Sequence, residues 1–260
     1  MWPFISRKEY LSLKRHTKQV TSVSLDYSAA VGASCGEDGL VVSWDLKNRD
    51  VQREFEGHEG RVRFVRISPK GNYLASAGED RSLRVWDLRT GSEVAKYFSA
   101  KSSVTCADFS EDEKFVFFGS DDSHVYVGDI ESSDTAGSFD GHPGCVRSLV
   151  VGFGNQVLFS GDEDGTIIQW RIDTFEEVAR VDAHEGEVTS LTLTTDNSRL
   201  ISGGVDSSLR VWEINTLKEL HILKGHKDTV TGIAVSSDDL FIISSSLDKS
   251  IRIWDAHELI

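Results

Sequence analysis

The chain has 260 residues, of which 39% are hydrophobic, so it can bury a large core in one domain or two. Its formal net charge of −14 repels nucleic-acid phosphate and anionic membrane surfaces, and a basic partner is the natural expectation. Three cysteines lie far apart without a CxxC pair, which predicts neither a disulfide framework nor a zinc site. No cofactor is expected.

The chain begins with MWPFISRKEY, which has mixed charge and no apolar stretch ahead of a small-residue cleavage site. It therefore does not resemble a secretory signal. No segment of the sequence is apolar enough to predict a membrane-spanning helix. The expectation is an intracellular protein of the cytoplasm, with the nucleus as the alternative.

A period of 42 residues runs through the chain, in six units that start near residues 16, 58, 100, 142, 184 and 226. A histidine opens five of the units, and Ala100 fills the remaining position. An aspartate follows 22 residues later in all six units, and a tryptophan follows 28 residues later in five, with Gly128 in the third. The repeated residues are His16, His58, His142, His184, His226; Asp38, Asp80, Asp122, Asp164, Asp206, Asp248; Trp44, Trp86, Trp170, Trp212 and Trp254.

Each of the first five units carries four strand signals, which the second unit illustrates. Apolar Val62, Val65 and Ile67 alternate with one break, which predicts a β-bulge near the start of the first strand. Residues 73–77, 83–88 and 93–98 give the second, third and fourth strands, and turn-forming residues such as SPKGN separate them. Four short strands in each unit are typical of a propeller blade.

The units resemble WD40 repeats, and the likeness covers residues 9–256. The dipeptide GH stands at 57–58, 141–142 and 225–226, and WD stands at 44–45, 86–87 and 254–255. In such repeats the histidine, a second-strand serine, the turn aspartate and the tryptophan form a hydrogen-bonded structural tetrad. The resemblance implies that His58, Ser76, Asp80 and Trp86 are structural. A hydrolase needs one activated serine with an oxyanion hole, and five equivalent sets do not fit that requirement.

Six such units predict an all-β fold, a single closed six-bladed β-propeller of four-stranded blades, with residues 1–260 as one domain. The last unit ends after its third strand, 251–256, whereas residues 9–14 align with fourth strands such as 93–98. The N-terminal strand is therefore predicted to complete the last blade and to remove an exposed sheet edge. The alternative is a fragment of a seven-bladed or larger propeller, since seven blades are commoner in the family.

The third unit departs from the pattern. Ala100, Phe118 and Gly128 replace histidine, serine and tryptophan, and only Asp122 of the tetrad remains. Its strand segments are still strongly apolar. Two interpretations stay open: a drifted blade stabilised by burial, or a blade released from the tetrad to receive a partner.

The family resemblance implies a non-catalytic scaffold or adaptor that binds a protein or peptide, as a subunit of a larger complex. The net charge of −14 argues against direct nucleic-acid or membrane binding. The histidine loop and the aspartate turn lie at one end of each blade, which we call the top face. The candidate partner-binding residues there are Arg61, Arg63, Phe64, Arg147, Glu37, Glu79, Glu163 and Glu187. The acids favour a basic segment of the partner, and the arginines and Phe64 are candidate anchors. A propeller hydrolase or lyase is the alternative, although no unit carries the inserted loop expected of an enzyme.

Overall fold

A computed structural model describes residues 12–152, 154–257 and 259. Within these residues there are 23 strands and no helix, hence no helix that could cross a membrane. The strands are β1 (Val20–Leu25), β2 (Val31–Gly36), β3 (Val41–Asp45), β4 (Asp50–Phe55), β5 (Val62–Ile67), β6 (Tyr73–Gly78), β7 (Leu83–Asp87), β8 (Glu93–Tyr97), β9 (Val104–Phe109), β10 (Phe115–Ser120), β11 (His124–Asp129), β12 (Thr135–Asp140), β13 (Val146–Gly152), β14 (Val157–Asp162), β15 (Thr166–Arg171), β16 (Glu176–Asp182), β17 (Val188–Leu193), β18 (Arg199–Gly204), β19 (Ser208–Glu213), β20 (Lys218–Lys224), β21 (Val230–Val235), β22 (Phe241–Ser246) and β23 (Ile251–Asp255).

The strands pair with their chain neighbours into six antiparallel sheets. Blades 1 to 5 are β1–β4, β5–β8, β9–β12, β13–β16 and β17–β20, and blade 6 is β21–β23. Each hairpin connects adjacent strands, so the chain never leaves a blade before completing it. This arrangement confirms the predicted six-bladed all-β propeller.

The first strand of every blade carries the predicted β-bulge. In blade 2, Val62 lies opposite Gly78 and Phe64 lies opposite Ala77, so Arg63 between them has no partner in the ladder. The same shift occurs in the other five blades. A bulge turns the extra side chain out of the regular alternation, which directs it to the end of the blade.

The turn between the second and third strands has one left-handed residue at the same register in every blade. Its φ lies between 61° and 93° at Gly39, Arg81, Ser123, Gly165, Ser207 and Lys249. The tight hairpin imposes this conformation even on non-glycine residues. At Gly165 the glycine is required, because a Cβ would come within 2.1 Å of the His184 carbonyl oxygen.

The hydrophobic core lies between blades. Five clusters of buried side chains join blade 1 to blade 2 and so on to blade 6. Between blades 1 and 2, for example, Val41 packs in one cluster with Val62 and Val65, and all three are at most 1% exposed. Each blade therefore depends on its neighbours for burial of its faces.

The junction between blades 6 and 1 differs from these five. Val23 and Leu25 of β1 are 72% and 62% exposed, whereas Val65, one period after Val23, is 1% exposed. On blade 6, Ile251 is 71% exposed, whereas Leu209, one period before it, is buried. We call these two uncovered surfaces the open faces.

The predicted N-terminal strand cannot be assigned. Residues 9–11 of the segment 9–14 lie outside the described residues, and residues 12–14 are not in a strand. Blade 6 consequently has three described strands, with β23 at the edge of the sheet. Completion of this blade by the N-terminal segment stays a prediction.

Candidate interaction face

The tetrads fix the top end of the blades. In blade 2, His58 Nδ1 lies 2.9 Å from Asp80 Oδ2, His58 Nε2 lies 2.8 Å from Ser76 Oγ, and Trp86 Nε1 donates to the same oxygen at 2.8 Å. Because a carboxylate only accepts, Nδ1 carries the proton. Blades 1, 5 and 6 repeat these contacts. The network ties the loop before the first strand to the turn after the second.

Blade 4 uses a different aspartate from the one that its period indicates. His142 Nδ1 bonds Asp162 at 2.8 Å, and the expected partner Asp164 only donates its backbone N–H to Asp162. The 22-residue spacing was therefore wrong for this tetrad. In blade 2 the same register holds Gly78, where a Cβ would lie 3.1 Å from His58 Nδ1. An aspartate at this position thus reaches the histidine directly.

Blade 3 replaces its missing tryptophan with a neighbour's ring. A Cβ built on Gly128 would lie 2.4 Å from the ring of Tyr97, which comes from β8 of blade 2. Tyr97 is 2% exposed, and its hydroxyl donates to the Asp129 carbonyl at 2.7 Å. The space of the tryptophan is filled from the adjacent blade.

The rest of the blade 3 tetrad is replaced by stacked aromatic rings. Phe118, in the serine position, stacks on Tyr126 with ring centroids 5.4 Å apart. The Tyr126 hydroxyl donates to Asp122 Oδ2 at 2.9 Å, and the backbone N–H of Lys101 donates to the same carboxylate at 2.6 Å. The turn is therefore still tied to the preceding loop, which favours a structural interpretation of this blade.

Two bulge residues organise the top face. Arg63 Nη1 lies 3.1 Å from Asp121 and Arg63 Nη2 lies 3.3 Å from Glu79. Arg147 Nη1 lies 2.5 Å from the same Asp121, Arg147 Nη2 lies 2.9 Å from Glu163, and Arg147 Nε lies 3.8 Å from Glu187. One chain of ion pairs thus joins blades 2 to 5, and we call it the rim network.

The remaining predicted residues lie beside this network. Arg61 Nη1 lies 3.6 Å from Glu37, and both side chains are exposed. Phe64 packs against the core between blades 2 and 3 and lines the central channel. Arg61 is thus the most accessible of the candidate anchors, whereas Phe64 already has a packing role. All eight predicted residues lie at or near one end of the ring.

In the ion pairs of the top face that the described residues form, carboxylates outnumber arginines. The ion pairs involve Glu37, Glu79, Asp121, Glu163 and Glu187 but only three arginines, which leaves an excess of two negative charges. Burial opposes the charge of Arg147, but Asp121 and Glu187 outweigh it and raise its pKa. Hydrogen bonds from Cys145 and then Arg147 lower the pKa of Glu163.

Arg63 and Arg147 of the rim network line a central channel of about 660 Å³. First strands of all six blades line the channel, largely with polar side chains. At Thr21, Thr105 and Thr189, the bulge residue donates its hydroxyl to a carbonyl of the next blade, at 2.5 to 2.6 Å. The channel wall is thereby pinned between blades.

Three top-face residues were not among the binding candidates predicted from the sequence. They occupy the position of the repeat that holds Glu37 and Glu79 in blades 1 and 2. Asp121 is the shared acceptor of two arginines, although only its neighbours were singled out as binding candidates. Val205 and Leu247 occupy the same register in blades 5 and 6 and are 36% and 59% exposed. The 42-residue period already marked all three. The top face is thus charged on blades 1 to 4 and apolar in part on blades 5 and 6.

A family model described as "WD domain, G-beta repeat" matches the chain six times. The matched residues are 7–45, 49–87, 91–129, 133–171, 175–213 and 217–255. Successive matches are offset by the same period that the sequence shows. Together they span most of the chain.

Two curated proteins are similar over short segments. The "Probable E3 ubiquitin ligase complex SCF subunit scon-2" of Neurospora crassa is 39% identical over 62 residues, which is 24% of this chain and 10% of that protein. The "Lysosomal-trafficking regulator" of Drosophila melanogaster is 34% identical over 61 residues, which is 22% of this chain and 2% of that protein. The chain thus matches a tenth or less of each relative's length.

Proposed function

This chain belongs to the WD40-repeat family, and on that premise we propose that it is a non-catalytic scaffold that binds a basic protein segment across the top face. The observation that carries the proposal is the rim network, which gathers an excess of carboxylates beside the central channel. The relative described as a ubiquitin ligase complex subunit supports a role as a complex subunit. The excess of carboxylates on the top face supports the basic character of the partner.

The arrangement of the rim network favours exchange of ion pairs. Glu79 and Glu163 are 42% and 40% exposed at their side chains, so a partner's lysine or arginine can reach them from solvent. Asp121, at 19%, holds Arg63 and Arg147 in place behind them. A basic segment would therefore meet positioned carboxylates, and it would gain most from them in association rate.

The tetrads argue against a hydrolase. Their Asp–His–Ser distances are those of a catalytic triad, but Ser76 is fully buried and its Oγ already accepts a hydrogen bond from Trp86. A nucleophile must be able to reach substrate. Within the described residues, the same burial applies to Ser160, Ser202 and Ser244, which are at most 1% exposed.

We also propose that the protein works inside the cell, in the cytoplasm. Cys35 and Cys106 are buried free thiols, and burial raises their pKa values to about 11 and about 12. Such thiols suit a reducing compartment. Fluorescence microscopy of the tagged chain in its own cells tests this proposal.

The binding proposal is tested with two fluorescein-labelled peptides of 15 residues, one with lysine and arginine spaced by glycine and serine, the other with aspartate and glutamate at the same positions. Anisotropy should show binding of the basic peptide and none of the acidic peptide. Glu79→Gln with Glu163→Gln should weaken binding by about fivefold, because each neutralised carboxylate removes a charge contact.

The matched control is Glu111→Gln with Glu131→Gln, which removes the same charge from exposed loops at the opposite end of the blades. It should change the affinity less than twofold. Equal weakening by both pairs of substitutions would show that binding depends on net charge alone, and would contradict the top-face proposal. Equal binding of the acidic peptide would do the same.

A further inference from the structure

A groove of about 430 Å³ lies between the described residues of blades 4 and 5. Asn155 and Gln156, in the turn between β13 and β14, form one wall, and Asn215 of blade 5 lies on the other side. The turn between the first and second strands is at the opposite end of the blade from the tetrad. The groove is therefore remote from the rim network, and its volume is that of a ligand site.

The groove coincides with two departures from the repeat. Val157 stands where blades 2 and 3 carry the aromatic rings of Tyr73 and Phe115, which pack against core clusters there. Gln169 stands at a third-strand position that is aliphatic in four other blades and serine in blade 1: Val85, Val127, Val211, Ile253 and Ser43. Blade 4 thus leaves space beside a polar group where blades 2 and 3 are packed with apolar atoms.

The Gln169 amide is the buried polar group of this groove. The residue lines the groove and is 5% exposed, and its Oε1 has no hydrogen-bond partner among the described residues. It lies opposite Phe159, in the core cluster between blades 4 and 5, so the amide is held at an apolar interface. An amide oxygen that has lost water without gaining a donor destabilises the fold. Gln169 therefore favours an occupant that brings an N–H group.

The charges of the groove disfavour an ionic occupant. One cation, Arg171, and one anion, Asp173, line it, and Arg171 lies 3.9 Å from Glu176. A carboxylate would repel the amide oxygen of Gln169, and an ammonium group could not accept from its Nε2. A carboxamide has both N–H and C=O, so it can form two hydrogen bonds with the Gln169 amide.

The walls of the groove are fixed before any occupant arrives. Asn155 Oδ1 accepts from the backbone N–H of Glu111 in blade 3 at 2.6 Å, and Asn215 Nδ2 donates to Glu213 at 2.9 Å. Val157 and Val178 add methyl groups to the lining, which suit the methylene groups of a glutamine side chain. A site that is already formed binds without the cost of ordering its own residues.

We propose that this groove binds a partner polypeptide through one glutamine side chain. The carboxamide of the partner pairs with the Gln169 amide, and its methylene groups lie against Val157 and Val178. The site is separate from the rim network and does not depend on the proposed binding of a basic segment.

The first test adds capped amino acids to the full chain and follows its valine methyl signals by NMR. N-acetylglutamine N-methylamide should shift the signals of Val157 and Val178, with half-saturation in the millimolar range that a ligand of this size allows. The corresponding glutamate and lysine probes should give shifts at least about threefold smaller, because neither supplies both a donor and an acceptor. Equal shifts from a charged probe overturn the proposal. The lack of any shift at about 100 mM glutamine probe also overturns it and means that the groove holds water only.

The second test repeats this titration with Gln169→Val, which installs the residue of blades 2, 3 and 5. The shifts should disappear, while Tm stays at or above that of the parent chain, because an aliphatic group replaces an amide with an unpaired oxygen. The matched control is Gln52→Leu, which removes an exposed glutamine from β4 and should leave the shifts unchanged. Shifts that persist in Gln169→Val overturn the proposal. A lower Tm would mean that the amide has a structural partner, which overturns it as well.

The third test addresses the partner itself. A photo-crosslinking amino acid at position 178 of the full chain, in its native cells, should form an adduct with one other polypeptide at a segment that contains glutamine. Gln169→Val, and separately the change of that glutamine to glutamate in the partner, should each lower the adduct at least about fivefold, whereas Gln52→Leu should not. An adduct that either change leaves intact, an adduct within this chain or with a second copy, and the lack of any adduct each overturn the proposal.

Discussion

Blades 2 and 3 hold the same fold with different chemistry. In blade 2 a chain of hydrogen bonds runs from Asp80 through His58 and Ser76 to Trp86. In blade 3 stacked rings of Phe118 and Tyr126 occupy the same region. The first two strands and the bulge lie at equivalent positions in both blades.

The difference shows which part of the tetrad the blade requires. Blade 3 has lost the histidine, serine and tryptophan, yet Asp122 still accepts a backbone hydrogen bond from Lys101 and a hydroxyl from Tyr126. The link from the turn to the preceding loop is therefore kept. The interior of a blade can be packed either with the polar tetrad or with aromatic rings, provided that each buried polar atom has a hydrogen-bond partner.

The largest effect is expected at Tyr97, whose ring fills the space over Gly128. Tyr97→Ala should lower the free energy of unfolding by about 3–5 kcal/mol, because it empties a buried aromatic site. Denaturant unfolding measures this loss. The adjacent Phe98 is 63% exposed, and Phe98→Ala is the control with little expected effect. A cost below about 1 kcal/mol at Tyr97 would show that blade 3 does not depend on the borrowed ring.

A smaller difference should separate the two turn aspartates. Asp80→Ala removes the acceptor of the buried side chains of His58 and Ser82, which should cost about 2 kcal/mol. Asp122→Ala leaves one buried side-chain donor, on Tyr126, and should cost about 1 kcal/mol. Denaturant unfolding of the two variants compares them directly. The reverse order would contradict the view that the polar tetrad depends more on its aspartate.

The pH dependence of the two kinds of blade should also differ. Burial lowers the pKa of His184 in blade 5, although Asp206 opposes the shift, so the folded state favours the neutral ring. Stability from this group is therefore lost as the pH falls below its ordinary value of about 6.5. Blade 3 has Ala100 in the histidine position. Hydrogen exchange at pH 7 and pH 5.5, corrected for intrinsic rates, should show lost protection in blade 5 and less in blade 3.

Asp206 extends the same contrast to stronger acid. Burial raises the pKa of this carboxyl, but hydrogen bonds from Ser208 and His184 outweigh burial and lower it to about 2. Its contribution is complete above about pH 4 and is lost as the pH falls toward 2. Asp206→Asn should flatten the stability profile over that range in an acid titration followed by circular dichroism. An unchanged stability profile would contradict the assignment of this acid-dependent loss to the hydrogen bonds of Asp206.

The smallest effect is expected at Asp164 in blade 4. Its carboxylate is not the partner of His142, so Asp164→Asn should change the unfolding free energy by less than about 0.5 kcal/mol. Asp162→Asn weakens the bond to the buried histidine and should cost clearly more. Unfolding of both variants decides between the two aspartates. A larger loss of unfolding free energy for Asp164→Asn would indicate that Asp164 is the partner of His142, as the 42-residue period predicts.

The sequence by itself determined the fold, the six blades, their strand positions and the bulges. Each of these features depends on a pattern that is local in the chain and repeats at a fixed period. The six copies therefore support the same prediction of four-stranded blades. The positions of Arg63, Arg147 and the turn acids within the repeat also predicted that they lie at the same end of the blades. Asp121 could have been added, since it stands in the position of Glu79.

Only the tertiary structure decided which side chains meet across blades. The contact of Tyr97 with Gly128 joins two blades, and the choice of Asp162 over Asp164 depends on where a Cβ points relative to His142. Whether Arg147 is free or already paired with Asp121 likewise depends on the distance between strand β13 and the turn that follows β10. The exposure of Val23 depends on the neighbouring blade, because its own repeat is the same as the others. A periodic sequence specifies each unit, whereas burial and pairing depend on what lies against that unit in space.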